Sequence, residues 1–294
     1  MAGALRLGTR GSALALAQAE AVSRALGSAE VVSVRTADGD IGDKSRFVRG
    51  VEEALLAGEV DIGVHSAKDL PGELPRGLAI AAVPGREDPA DAFLGEAASL
   101  AEVPEGSRVG TASLRRRSQL LALRPDLDVV ELHGNVDTRL AKLEAGECDG
   151  IVLALAGLRR LGREDEAAFT FSPQEMTPAA GQGALALEAR EGDERAAGAA
   201  GRLLDRAASL ELTAERAATL GLGADCHTPV GVLARARGES LTIDGYAGLP
   251  DGSDWVRDTV SGPAADAREL GAALAERMLA AGAADILERT GARS

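Results

Sequence analysis

Val109-Gly-Thr-Ala-Ser-Leu-Arg-Arg-Arg-Ser-Gln-Leu-Leu-Ala-Leu123 reads as the end of a strand, a polar turn and a helix, in that order. Gly110-Thr111-Ala112-Ser113 makes the turn, and the helix runs on to about Leu123. A strand that passes directly into a helix is the repeating unit of α/β architecture. The same passage holds an anomaly. Arg115, Arg116 and Arg117 fall in the first turn of the helix, where the dipole favours anions. One such arginine is read as a solvated surface charge. Three of them, beside a turn with Thr111 and Ser113 and outward backbone N–H groups, point to an anion site.

Working outward, the alternation continues on both sides. Upstream, Leu5 to Gly8 is a strand and Gly11-Ser12 opens an Ala/Leu-rich helix with Ser12 as its cap. Val31 to Val34, the alternating Val60, Ile62 and Val64, and Leu78 to Val83 are strands, with a helix over Phe47 to Leu56. Downstream, Val129 to Leu132 is a strand and Asn135 to Ala145 a helix striped by Val136, Leu140 and Leu143. Ile151 to Ala156 is an unbroken apolar run, the pattern of a parallel strand buried on both faces. A Pro/Gly-rich crossover from Ser172 to Gly183 leads to a strand at Ala184 to Glu188 and a helical stretch from Asp193 to Leu220. Beyond Cys226 the texture changes. Val230 to Ala234, Leu241 to Ala247 and Trp255 to Val260 read as antiparallel strands, and Pro263 to Ala281 as a helix with Leu270, Leu274 and Met278 on one face. The fold class expected is α/β: two α/β domains followed by a smaller C-terminal α+β domain.

Bulk properties narrow the functions. The chain has 294 residues, room for more than one core. A formal charge of −14 repels nucleic acid and anionic membrane, and 2% aromatic residues leave little for base stacking. No apolar run approaches the length of a membrane span, and Gly8 to Gly11 interrupts any secretory pattern. The two cysteines, Cys148 and Cys226, form no CxxC pair, so a cytoplasmic protein is expected. His65, His133 and His227 have no ligand spacing, so no metal is expected.

Three further signals carry chemistry. Thr9-Arg10-Gly11-Ser12 repeats the turn-with-cation arrangement, and Arg139 and Arg160 follow strand–loop passages. His65-Ser66-Ala67-Lys68-Asp69-Leu70-Pro71 lies just past the end of a strand, where open α/β sheets bind ligands. On its own, Lys68-Asp69 is a surface ion pair of small worth. Gly223-Ala224-Asp225-Cys226-His227-Thr228-Pro229 places a cysteine in a polar loop, with His227 able to assist thiolate formation. A Cys-His protease or a metal site is the weaker reading of that loop, and Cys148 is read as structural.

Seven ordered blocks resemble the porphobilinogen deaminase (hydroxymethylbilane synthase) family. They are Leu5-Arg-Leu-Gly-Thr-Arg-Gly-Ser-Ala-Leu-Ala15, Asp61-Ile-Gly-Val-His-Ser-Ala-Lys-Asp-Leu-Pro71, Gly110-Thr-Ala-Ser-Leu-Arg-Arg116, Gly134-Asn-Val-Asp-Thr-Arg139, Ala156-Gly-Leu-Arg-Arg-Leu-Gly162, Pro178-Ala-Ala-Gly-Gln-Gly-Ala-Leu185 and the Cys226 loop. The resemblance implies condensation of four porphobilinogen molecules into hydroxymethylbilane, with loss of ammonia at each step. It implies a dipyrromethane cofactor bound through a thioether to Cys226, a soft nucleophile suited to trapping the electrophile left when ammonia departs. It implies Asp69 as the catalytic carboxylate, stabilising positive charge on a pyrrole nitrogen. Arg10, Ser12, Lys68, Thr111, Ser113, Arg115, Arg116, Arg139 and Arg160 match positions that hold the acetates and propionates of cofactor and substrate, and Ser66 and Gln182 match positions lining the cleft.

The implied architecture is two periplasmic-binding-protein-like domains with a cleft between them. The first covers residues 1–85 and 184–203, the second 86–183, and a third domain at 204–294 presents Cys226. A monomer that passes its product to uroporphyrinogen-III synthase is implied as well. Two departures stand out. His133 occupies a position where the family commonly has Arg, which would weaken one carboxylate contact. The stretch from Thr36 to Phe47, with Ile41-Gly42-Asp43-Lys44-Ser45, looks shorter than the family's mobile lid, which excludes water and gates turnover. Ala112 and Ala224-Asp225 are smaller departures. Two rival readings are a non-catalytic binder of small anions, since fold does not fix function, and a slow paralogue that loads cofactor but elongates poorly.

Overall fold

The computed structural model describes residues 4–27, 29–34, 45–225 and 227–291, with only the backbone described at 45–47. The expected lid and Cys226 itself therefore lie outside the described residues. Strands β1 (Arg6–Arg10), β2 (Glu30–Val34), β3 (Ile62–Ser66) and β4 (Leu78–Ala82) come first, with helices α1 (Ala13–Leu26) and α2 (Ser45–Leu56) between them. Then come β5 (Asp91–Gly95), β6 (Arg108–Gly110), α3 (Leu114–Leu123), β7 (Asp128–Val130), α4 (Val136–Glu144), β8 (Gly150–Ala154), α5 (Leu155–Arg160) and β9 (Phe169–Thr170). They are followed by β10 (Leu185–Arg190), α6 (Glu194–Gly201), α7 (Arg206–Leu222), β11 (Val230–Arg237), β12 (Ser240–Gly248), β13 (Trp255–Pro263), α8 (Ala267–Met278) and α9 (Ala284–Arg289).

The chain divides into two compact units, residues 1–87 with 183–209 and residues 88–182 with 210–294. The first unit is one five-stranded sheet in the order β2-β1-β3-β10-β4. β1 runs parallel to β2 and β3, while β10 is antiparallel to β3 and β4. Leu7, Ala19, Val22, Ile62, Val64 and Leu187 share a core with α6, and Ala54, Leu55, Val60 and Leu78 form another beside α2. Ser12 caps α1 by accepting from the Ala15 N–H, as its place in the sequence predicts.

The second unit holds two sheets, one in residues 88–182 and one in 210–294. Its five-stranded sheet, β7-β6-β8-β5-β9, repeats the plan of the first: a parallel trio, then two antiparallel partners. The three-stranded meander β11-β12-β13 packs Val232, Leu241 and Ile243 against α7 and α8 through Ala214, Ala218, Leu274 and Met278. The two layers of this unit are joined at Ser118 Oγ, 2.7 Å from the buried Tyr246 hydroxyl.

Several elements differ from expectation. The apolar run Ile151 to Ala156 is not one strand, because β8 ends at Ala154 and α5 starts at Leu155. β5 was hidden by its brevity, with only Ala92, Phe93 and Leu94 apolar between Asp91 and Gly95. The helical stretch Asp193 to Leu220 is two helices, the second begun by Asp205, whose carboxylate accepts from the Ala208 N–H at 2.8 Å. The last helix runs past Ala281 after a wide turn at Gly282, whose φ of 113° suits glycine.

Candidate functional site

In the first unit, the adjacent parallel strands β1 and β3 end side by side, and their ends gather the expected residues. Arg10 closes β1 and Ser66 closes β3, followed by one tight turn at Ala67–Asp69. The turn is held at both ends. The Ala67 N–H donates to the Ala184 carbonyl at 3.0 Å, and the Leu70 N–H donates back to the Ala67 carbonyl at 3.3 Å. Gln18 of α1 donates to Ser66 Oγ at 3.0 Å. Arg10 Nη2 lies 3.9 Å from Asp69 Oδ2, with both side chains about a quarter exposed at 29% and 25%. This is a carboxylate with a cation beside it and open to solvent on one side. Ser12 is on the same strand-to-helix turn as Arg10, and Lys68 is inside the Ala67–Asp69 turn.

In the second unit the corresponding strand end is that of β6. The Thr111 N–H donates to the Val130 carbonyl at 2.9 Å. Thr111 Oγ1 accepts from the Ser113 N–H at 3.2 Å, and Ser113 Oγ caps α3 by accepting from the Arg116 N–H at 3.5 Å. Arg115 and Arg116 do not stand out into solvent. They are buried, and both grip Asp91 at the start of β5, at 2.7 Å each. Arg115 Nη1 also donates to the Thr177 carbonyl at 2.8 Å. Arg116 commits Nε and Nη2 to Asp91 and Nη1 to the Val152 carbonyl. Gln182 donates to the same Asp91 at 3.0 Å and to the Pro89 carbonyl at 2.6 Å. Burial alone would raise the Asp91 carboxyl, but the charges of Arg115 and Arg116 outweigh it and hold Asp91 well below the usual carboxylate range.

Arg139, in the first turn of α4, is different. Its Nε is buried and has no hydrogen-bond partner among the described residues. Burial and the neighbouring charge of Arg116 push its guanidinium down to about 10. Arg115 and Arg116 are thus committed to Asp91, while Arg139 feels the charge of Arg116 and has no carboxylate partner among the described residues. Arg160 sits in the last turn of α5, half-buried. His133 stands apart, exposed and 2.7 Å from Glu131. On either side of position 226 the loop is a tight turn. Thr228 Oγ1 donates to the Asp225 carbonyl at 2.7 Å, and Asp225 Oδ1 accepts from the His227 N–H at 2.8 Å. Among the described residues no cluster of His, Cys, Asp or Glu could hold a metal, and no helix is long and apolar enough to cross a membrane.

Asp91 is the buried charge at this site that sequence reading missed. An acid opening a short apolar run gives no sign of burial, and its partners come from α3 and from the segment before β10. The donor set fits a group bearing several carboxylates, with Arg139 Nε as the orphaned atom that such a group would satisfy.

Cationic and hydroxyl side chains gathered at the carboxyl ends of parallel strands suit an α/β protein to an acidic small molecule. The family follows from comparison with known proteins. A profile described as porphobilinogen deaminase, dipyromethane cofactor binding domain, matches residues 5–198, and one for the C-terminal domain of porphobilinogen deaminase matches 209–280. The porphobilinogen deaminase of Thermus thermophilus is 48% identical over 293 residues, covering 96% of this chain and 97% of that protein. Those of Roseiflexus castenholzii and Rubrobacter xylanophilus are 46% and 47% identical, covering 98% of this chain and 99% and 97% of theirs. The chain belongs to the porphobilinogen deaminase family. Among solved structures, a TRAP periplasmic solute binding protein from Desulfovibrio salexigens aligns at 12% identity with a TM-score of 0.40, covering 68% of this chain and 72% of that one.

Proposed function

We propose that the chain works as a porphobilinogen deaminase. It joins four porphobilinogen molecules head to tail into hydroxymethylbilane, releasing ammonia each time, with a dipyrromethane carried on Cys226. The observation that carries this reading is Arg139 in the second unit, its Nε buried and without a hydrogen-bond partner among the described residues, beside an Arg116 already committed to Asp91. Buried charge without a counter-ion is costly, so such a site calls for anions from outside the chain. Each pyrrole brings an acetate and a propionate.

When bound, the dipyrromethane supplies the pyrrole terminus from which the product grows. The side chains divide the remaining work. Asp69, on a turn tied to β10 and beside Arg10, stabilises positive charge on a pyrrole N–H as ammonia leaves. Arg10, Ser12, Ser66 and Lys68 in the first unit hold substrate or cofactor carboxylates. Thr111, Ser113, Arg139 and Arg160 do so in the second. Arg115, Arg116 and Gln182, turned toward Asp91, fix the start of α3 and lend positive potential to the same carboxylates. His133 adds a contact at the margin. The third domain, 204–294, presents Cys226. A cytoplasmic monomer that delivers its product to uroporphyrinogen-III synthase completes the proposal.

The test is the mass of the denatured protein from a haem-producing host. It is expected to exceed the sequence mass by one dipyrromethane and to colour with Ehrlich's reagent, and Cys226→Ala to lose both signals. An unmodified wild-type mass overturns the reading.

A further inference from the structure

Beneath the Asp69 turn, the first unit buries three titratable side chains with no part in the reaction as assigned. His65 and Glu52 are each 6% exposed and Glu188 is 0% exposed. His65 Nε2 lies 3.0 Å from Glu188 Oε2, the distance of an ion pair, but out of line for a hydrogen bond. Glu52 Oε1 and both Glu188 oxygens have no hydrogen-bond partner among the described residues. Nearly dry and unsatisfied polar atoms of this kind mark a constraint that packing alone does not need.

The strand register explains the contact. Ala186 of β10 faces His65 of β3, and Glu188 faces Gly63, so His65 and Glu188 project from the same face of the sheet. A Cβ on Gly63 would meet His65 Nε2 at 2.7 Å and Leu55 and Val51 at 3.0 Å. The imidazole is folded back over Gly63, under α2, in space that only glycine leaves. Glu52 comes down from α2 into the same layer, near enough to Glu188 for their charges to repel. The helix also packs on the Ala67–Asp69 turn.

We propose that Glu52, packed with Glu188 and His65, forms a buried clamp that positions the Ser66–Asp69 turn through the proton on Glu52. They are positioning residues for the catalytic carboxylate, an inference that rests on the function proposed above. Burial, and next the charge of Glu188, push the Glu52 carboxyl up to about 7, with Glu53 adding to the rise and Arg49 opposing it. The other charges facing α2 are accounted for. On β1, Arg6 is bound to Asp61 and Arg10 is beside Asp69. On β2 the charged residue is Glu30, and on β10 Arg190 is held by the Leu55 and Val60 carbonyls and Asp193. Lys68 and Asp69 are on the turn itself.

Protonated Glu52 sits neutral beside Glu188. When it ionises, negative charge is added beside Glu188 in a buried layer, and α2 is repelled from β10. The turn that α2 touches loosens with it. The folded state holds this proton more tightly than the unfolded chain does. The stabilisation is therefore complete below the ordinary carboxylate range and is lost as pH rises to about 7.

The experiment compares holoenzyme of the wild type, Glu52→Gln and Glu188→Gln from about pH 6 to about pH 8.5. The ratio of kcat for Glu52→Gln to that of wild type is expected to be near one at the acid end. It should rise several-fold through a midpoint near 7, with the ratio of KM unchanged. Glu188→Gln removes one source of the repulsion and is expected to shift the wild-type transition to lower pH. Hydrogen exchange at the Ala67 and Leu70 amides, corrected for intrinsic rate, should lose protection across the same transition in wild type and keep it in Glu52→Gln. A kcat ratio independent of pH together with unchanged protection overturns the clamp. Amide exchange needs no turnover. If no form of the protein condenses porphobilinogen, the proposed function fails while exchange still decides the clamp.

Discussion

Asp69 and Asp91 are the same residue in opposite circumstances, and their asparagine variants should separate cleanly. Asp69 is partly solvated, with the Arg10 guanidinium at 3.9 Å, so little stability rests on that pair. Asp69→Asn is expected to stay folded and to turn over about 10²–10³ more slowly, measured by single-turnover kinetics on cofactor-loaded protein. Wild-type rates would remove Asp69 from the chemistry. Asp91 is fully buried between Arg115 and Arg116. Asp91→Asn leaves two buried guanidinium groups without their counter-ion, a loss of about 3–5 kcal/mol readable in urea unfolding. Because Asp91 is held well below the usual carboxylate range, its contribution is present above that range and disappears only in strong acid, as pH falls through its folded value. A variant as stable as wild type would show that the arginines find other partners. Asp69 came from the family resemblance, since Lys68-Asp69 on its own, just past a strand end, reads as a surface ion pair. Sequence reading missed Asp91 because burial is a property of what folds over a residue, and those partners are distant in the chain.

At the scale of elements, long periodic segments were legible and short ones were not. α1, α4 and the β11-β12-β13 meander follow from spacing and caps. β5 and β9 are too short to show a period, and the end of β8 is masked because Leu155 and Ala156 are apolar for the sake of α5. The break between α6 and α7 had a signal in Asp205, an N-cap residue read as helix interior. One cap bears on function. Asn135 Oδ1 accepts from both the N–H and the hydroxyl of Thr138 at 2.8 Å, starting the helix whose first turn carries Arg139. Asn135→Ala is expected to cost about 1 kcal/mol in thermal unfolding and to lower the fraction of protein loaded with cofactor, as mass spectrometry would count it. Full loading at reduced stability would mean that Arg139 holds its place without the cap.

At the scale of the whole chain, the α/β class and the C-terminal change of texture were visible in the pattern of strands and helices. That the first unit is built from two separate stretches was not in that pattern, and it entered through family resemblance. No local signal at Ala184 to Glu188 says which sheet the strand will join. That placement has a consequence for birth order. Among the described residues β4 pairs with β10 alone, and β10 fills the gap between β3 and β4. A ribosome delivers β3 and β4 early, then makes all of β5 to β9 before β10 emerges. For that interval the newborn chain carries an open edge on β3, the strand that ends at the Ala67–Asp69 turn, and an orphan strand in β4. Open edges of this kind are templates for pairing with another chain. The end of the first unit that carries Asp69 is therefore closed late, and the nascent protein is exposed to aggregation at the place proposed for its chemistry.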